Sequence, residues 1–164
     1  MERDEADPVA FLERLGASSV RWLLIGRQAL IQYGAPLQTM DYDLWVDPGA
    51  ANLRRFLALA GGAGLESPTL ASVQGRPYFT LHGGLLKVDV FKVRSFRNLD
   101  GEEIDFASAW RRRTVASAPG DPLRLPLPRL DDLRRLKRMR DGEKDREDLR
   151  YIDQLTKTKR RRTR

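Results

Sequence analysis

Asp41 and Asp43 stand one residue apart in the run Thr39-Met40-Asp41-Tyr42-Asp43-Leu44-Trp45-Val46. If that run is a strand, both carboxylates point to one face, about 7 Å apart along the backbone. Two carboxylates so close repel each other unless a cation sits between them. Hard oxygen donors of this kind suit Mg²⁺ or Mn²⁺, which bind through few carboxylates and complete their shell with phosphate oxygens and water. Asp89 is a third acid, inside Leu85-Leu86-Lys87-Val88-Asp89-Val90-Phe91. Leu86, Val88 and Val90 share one face of that segment, so Lys87 and Asp89 lie on the other. A carboxylate there needs a partner or solvent. If the two strands are neighbours, three carboxylates converge. The composition narrows the alternatives. The chain has no cysteine and one histidine, His82. Thiol catalysis, disulfides and cysteine-ligated metals are excluded, and the chemistry falls to carboxylates, lysines and arginines.

The elements that must carry these acids are legible in part. Asp7-Pro8 starts a helix, with Asp as N-cap and Pro in the first turn, and Gly16 stops it. Val20 to Ile25 reads as a buried strand ended by Gly26, and Gln28 to Tyr33 as a short helix ended by Gly34. Asp41 to Val46 alternates, with Asp41, Asp43 and Trp45 opposite Tyr42, Leu44 and Val46. Ala50 to Ala60 is an amphipathic helix, and residues 63–76 read as loop. Pro77 to Leu81 and Leu85 to Val93 form a hairpin around His82-Gly83-Gly84, which puts His82 at the surface. Residues 94–104 read as a polar loop, Phe106 to Arg113 as a helix, and the prolines of 118–129 as an extended connector. Two helices close the chain, near 130–140 and 144–155. The expected fold class is α/β (α+β): a mixed sheet flanked by helices, with a C-terminal helical hairpin.

In the last two helices, Leu130, Leu133 and Lys137 fall on one stripe, so Lys137 faces the packed side and must snorkel or meet an anion. Asp145, Asp148, Ile152 and Leu155 also share a face. For Asp145, placement in the first turn of a helix is explanation enough. Arg111-Arg112-Arg113 reads as the wet face of a helix, and Trp22, Trp45 and Trp110 as core.

The order of these motifs resembles the nucleotidyltransferase superfamily. Leu23-Leu24-Ile25-Gly26, a short helix ending at Tyr33-Gly34, then Asp41-Tyr42-Asp43 and a later Asp89 match its strand, glycine, helix, Asp-x-Asp and third-acid sequence. The likeness is nearest to small bacterial nucleotidyltransferases of the abortive-infection and toxin–antitoxin type. Their C-terminal motifs are matched by Asp132-Leu133-Arg134-Arg135-Leu136-Lys137 and Lys144-Asp145-Arg146-Glu147-Asp148-Leu149. The resemblance covers residues 20–155. It implies that Asp41, Asp43 and Asp89 are catalytic and hold Mg²⁺ or Mn²⁺. It places a nucleoside triphosphate on Gly26, Arg27, Thr39 and Lys137, with Gly26 letting backbone donors approach the phosphates. The acceptor it implies is a hydroxyl of RNA, such as tRNA, or of a protein, and the partner a cognate antitoxin. Two positions depart from the pattern. Arg27 stands where the family has Gly or Ser, and Leu37 where small relatives often have Arg. They favour a second reading, a non-catalytic relative that binds nucleotide or a partner protein.

At 164 residues the length fits one domain, expected over 1–156. The net charge is +7, but six cations lie in the last eight residues, so the body is close to neutral. Residues 157–164 carry no apolar side chain and read as a disordered basic tail able to contact phosphates without sequence preference. That tail supports a third reading, a plain nucleic-acid-binding module. No apolar run approaches the roughly 18 residues that span a bilayer, and Met1–Glu5 lacks an apolar signal segment. A cytoplasmic protein without membrane contact is expected.

Overall fold

The computed structural model describes residues 6–164, so the reading of Met1–Glu5 lies outside the described residues. The first helix, α1 (Pro8–Gly16), starts as expected: Asp7 accepts a hydrogen bond from the Val9 amide at 2.9 Å. It is followed by β1 (Trp22–Ile25), α2 (Gly26–Gln32), β2 (Tyr42–Val46) and α3 (Ala50–Gly62). Next come the single turn α4 (Leu70–Val73), the strands β3 (Tyr78–Gly83) and β4 (Leu86–Phe91), and a small hairpin of β5 (Ser95–Arg97) and β6 (Glu103–Asp105). The remainder is α5 (Phe106–Arg111), β7 (Thr114–Ala116), β8 (Leu125–Leu127), α6 (Leu130–Lys137) and α7 (Glu143–Arg162).

The main sheet is mixed, in the order β1-β2-β4-β3. β2 runs antiparallel to β1 and parallel to β4, and β3 and β4 form an antiparallel hairpin. One face is apolar by alternation. Leu24, Leu44, Val46, Val88 and Val90 meet Phe11 and Leu15 of α1 and Phe56 of α3 in the main core. The other face is covered only in part. Leu23, Ile25 and Trp45 are buried there under Ile104, Phe106 and Ala109. Trp45 packs edge-on against Phe96 and Phe106, and its indole N–H donates to the Val93 carbonyl at 2.8 Å. The face that carries Asp41 and Asp43 is therefore roofed from Trp45 onward and open at the acids. That roof is why β2 is apolar on both sides at its end.

Several segments differ from the sequence reading. The loop expected at 94–104 holds the β5–β6 hairpin, and the connector at 118–129 contains β8, paired with β7 across Pro126. A two-stranded edge tolerates that proline, since only one ladder bond is lost. The β3–β4 turn is Gly84-Leu85 rather than His82-Gly83-Gly84. Gly84 has φ +60°, the glycine-first geometry that suits the twist of a two-residue hairpin. His82 is thus a strand residue, exposed and paired with Lys87. A short turn, α4, capped by Thr69, lies in the 63–76 region.

The basic tail is helical to Arg162 rather than disordered. Lys and Arg are good helix formers, and Ile152 and Leu155 already anchor the helix on the core. No Gly or Pro intervenes, and cations at a helix C-terminus are favoured by its dipole. α6 and α7 form the expected C-terminal helical hairpin, with Leu133 and Ile152 reaching the main core. Among the described residues no helix is long and apolar enough to cross a membrane.

The close of the fold brings α1 against the segment before β8, where a Cβ at Gly16 would collide with the carbonyl oxygen of Arg124. Gly16→Ala is expected to destabilise the protein by about 1–3 kcal/mol, because backbone rather than a flexible side chain must move. A urea unfolding midpoint that does not change would contradict this packing.

Candidate active site

The unroofed part of the sheet is where the acids meet. Asp43 lies beside Ile25 on β1 and in register with Asp89 on β4. Neighbouring strands are about 4.8 Å apart, so the two carboxylates stand side by side on one face. Asp41, just before β2, is exposed on the same side. All three line one cavity of about 250 Å³ with Arg27, Thr39 and Lys137. Six of the seven residues named from the sequence line this cavity. The seventh, Gly26, lines an adjoining, more apolar cavity of about 290 Å³ with Ile25, Phe91, Phe96, Leu136 and Met139. The two cavities share Asp43, Phe91, Lys137, Arg140 and Asp145 as walls.

Gly26 is fixed by two constraints. It has φ +70°, a region side-chain-bearing residues rarely adopt. A Cβ there would also lie 2.5 Å from Asp43 Oδ2. The backbone of the β1–α2 junction therefore sits directly on the Asp43 carboxylate. Thr39 holds the entry to β2. Its hydroxyl accepts from the Asp41 amide at 3.2 Å, and its carbonyl accepts from Gln28 Nε2 of α2 at 3.1 Å. Asp89 is held from the edge strand. The Thr80 hydroxyl donates to Asp89 Oδ1 at 2.7 Å, and Lys87 Nζ is 3.6 Å from Oδ2.

The cations come from α2 and α6 and are held by α7. Lys137 ends α6, with Nζ 2.5 Å from Asp148 Oδ2. Arg27 of α2 pairs with the same carboxylate, Nε to Oδ1 at 3.2 Å, and its Nη2 donates to Glu147 at 3.2 Å. Asp148 is 1% exposed. One buried acid on α7 thus aligns a cation from α2 and a cation from α6. Arg27 is drawn toward α7, so its bulk is held by Glu147 and Asp148 at the cavity wall. Asp145 accepts from the Gly142 amide at 3.1 Å, the helix-start role expected of it. Asp132, the first acid of the Asp-Leu-x-x-x-Lys run, lies elsewhere. It is fully buried and accepts from Arg112 at 2.5 Å and Arg135 at 3.3 Å, joining α5 to α6.

Thr80, Lys87, Arg140 and Lys144 were not assigned to the site by the sequence, yet each touches Asp89 or lines the cavity. Lys87 was within reach, since it shares the parity of Asp89. Thr80 needed the hairpin register, and that depended on placing the turn at Gly84-Leu85.

Burial pushes the Asp43 carboxyl above the ordinary carboxylate range, and Asp89 and Asp41 add to the shift, while Lys137 and Lys87 oppose it. The donor chemistry fits a hard divalent ion. Among the described residues, however, no three potential ligands are gathered into a closed cluster. Asp43 and Asp89 are the adjacent pair, Asp41 flanks them, and the open positions fit phosphate oxygens and water.

No family model matches the sequence, and no curated protein matches it. Solved structures do. A candidate nucleotidyltransferase from Thermotoga maritima aligns over 94% of this chain and 87% of its own, with TM-score 0.53 and 14% identity. The lincosamide antibiotic adenylyltransferase LnuA, solved with lincomycin bound, aligns over 93% of this chain and 99% of its own, with TM-score 0.61 and 12% identity. The chain has the nucleotidyltransferase fold. At such identities the likeness concerns the fold, and the mixed sheet with its C-terminal helices is what is shared.

Two outcomes follow from the charges. The folded state holds the Asp43 proton more tightly than the unfolded chain does. Its contribution to stability therefore falls as pH rises from the ordinary carboxylate range through the raised value, and the ion is a cost above it. Asp43→Asn is expected to raise the metal-free melting temperature at neutral pH by about 2–4 °C, the equivalent of about 1 kcal/mol. Mg²⁺ or Mn²⁺ should raise it for the native sequence and not for the variant; scanning calorimetry with and without the ion reads both. Asp148→Ala strands two partly buried cations and is expected to cost about 3–5 kcal/mol in denaturant unfolding.

Proposed function

We propose that the protein is a metal-dependent nucleotidyltransferase that moves a nucleoside monophosphate from a nucleoside triphosphate to an acceptor hydroxyl. The observation that carries this reading is the in-register pair Asp43 and Asp89, with the Gly26 backbone against one acid and Lys137 across the cavity wall.

Asp41, Asp43 and Asp89 would hold the ion. A divalent cation, Mg²⁺ or Mn²⁺, supplies charge neutralisation for the phosphates and for the attacking and leaving oxygens. The protein supplies the rest. The β1–α2 junction lets the triphosphate approach the backbone without a side chain in the way. Lys137, and Arg27 behind it, balance charge on the departing pyrophosphate. Thr80 fixes the orientation of Asp89 through Oδ1, and Oδ2, which faces Lys87, would accept the acceptor's proton as its oxygen attacks the α-phosphorus. The P–O bond to the pyrophosphate breaks as the new ester forms, roughly in line. Once bound, the polyphosphate competes with Asp148 and Glu147 for Lys137 and Arg27. The adjoining, more apolar cavity, with Phe91, Phe96, Leu136 and Met139, is suited to the flat face of a nucleobase. An RNA or protein acceptor, and a place in a toxin–antitoxin pair with a cognate antitoxin, are supported by the sequence resemblance alone. The fold-mate LnuA, by its description an adenylyltransferase of an antibiotic, adds a small-molecule hydroxyl to the acceptors worth testing.

Label transfer tests the reading. Each α-labelled triphosphate is incubated with the protein, Mg²⁺ or Mn²⁺, total cellular RNA and protein. Label should enter one acceptor fraction. Asp41→Asn/Asp43→Asn should reduce transfer by more than about a hundredfold, beyond what outer-shell changes cost a metal site. Transfer that persists in the double variant would sink the assignment.

A further inference from the structure

α7 runs well beyond the core that anchors it. Its last buried side chain is Ile152, Leu155 and Thr156 are half-buried, and every residue from Lys157 onward is exposed. The helix nevertheless continues to Arg162. Exposed residues in succession over more than about one and a half turns leave no covered side, so 157–162 form a spur about 9 Å long that solvent surrounds. Lys157, Lys159, Arg160, Arg161 and Arg162 all lie on it. At about 100° of rotation per residue, these cations point in every direction around the axis. Asp153, one turn before Lys157, is the nearest acid on the helix, and it is engaged with Arg134 of α6 at 3.1 Å. Among the described residues no ion pair ties down any of the five. At the base of the spur, Arg129 and Arg134 flank an open cleft of about 580 Å³ together with Lys159 and Arg160. Lys159 lies about 16 Å along the helix axis from Asp148, so the spur is separate from the candidate active site.

A rigid cationic spur calls for a polyanion, and its details decide which kind. After Leu155 the chain has no apolar side chain. A helix that lies on a lipid surface buries an apolar face, and this one has none to bury. The threonines among the cations are turned back to their own helix. Thr158 Oγ1 donates to the Gln154 carbonyl at 3.1 Å, and Thr163 Oγ1 to the Arg160 carbonyl at 3.0 Å. That leaves the long cationic side chains to meet phosphate oxygens, contacts that fix position without reading bases. The dimensions favour one form of nucleic acid. A helix with its side chains is about 10–12 Å across, and the major groove of B-form DNA, about 12 Å wide, admits one. The corresponding groove of duplex RNA is deep and narrow. Cations on all sides of the spur then face both phosphate rows that border the groove, with Arg129 and Arg134 at its base.

We propose that the end of α7 is a docking site for duplex DNA, seated in the major groove and held through phosphates without sequence preference. The test needs no turnover. Binding of a short labelled DNA duplex to the full-length protein is followed by fluorescence anisotropy across a salt series. Affinity in the micromolar range is expected near physiological salt, with a log–log salt slope of about −4.5, one phosphate for each of the five cations. Arg160→Ala/Arg161→Ala/Arg162→Ala keeps the helix, since alanine is the best helix former. It should weaken binding by about tenfold or more and make the slope shallower by about 3. Its triphosphate binding in calorimetry should match that of the native sequence. Absence of DNA binding, or binding that the triple variant retains in full, would overturn the proposal. So would tighter binding of an RNA duplex or a single strand of the same sequence, or capture of the protein by anionic phospholipid vesicles without binding to DNA. Failure of the enzyme assignment is read separately, as loss of acid-dependent label transfer while DNA binding stands.

Discussion

Asp148 is the interaction on which the rest of the site depends. A buried carboxylate is tolerated only with counter-charges, and here they come from two other helices, Arg27 of α2 and Lys137 of α6. That contact fixes the helical hairpin over the open end of the sheet. It also decides where positive charge faces Asp43 and Asp89. The main core could form without it, since Leu133 and Ile152 supply the apolar contact, but the cations would then have no defined place.

The second constraint is the approach of the β1–α2 backbone to Asp43. Only glycine accepts both the positive φ and the nearby carboxylate oxygen. The same strand that presents Asp43 to the cavity buries Trp45 two residues later under the β6–α5 roof. A small unit thus combines an open polar end, where solvent and ligand can enter, with a closed apolar end that keeps the strand rigid.

Much of this was legible in the sequence because period-two alternation is a strong signal. It placed Asp41, Asp43 and Asp89 on faces before any pairing was known, and the stripe on α6 turned Lys137 inward. Other features required tertiary information. The direction of Arg27 depends on acids 120 residues away. Thr80 depended on a hairpin register shifted by the true turn. The hairpin at 95–105 and the strand at 125–127 are too short for periodicity to reveal, and Pro126 argues against a strand taken alone. The basic tail is unstructured by composition, yet it continues a helix that the core has already nucleated.

The order of the chain gives the Arg27–Asp148 contact a further meaning. The acids and the glycine lie in the first 89 residues, while Lys137 and Asp148 belong to the last helices. During synthesis Asp43 and Asp89 are therefore made, together with Arg27 and Lys87, well before Lys137 and Asp148. Contacts so distant in sequence form late and slowly, because loop closure comes before any reward. The sheet can therefore form before Asp148 is made to align Arg27 with Lys137, and until then Asp89 has only the cation Lys87 beside it.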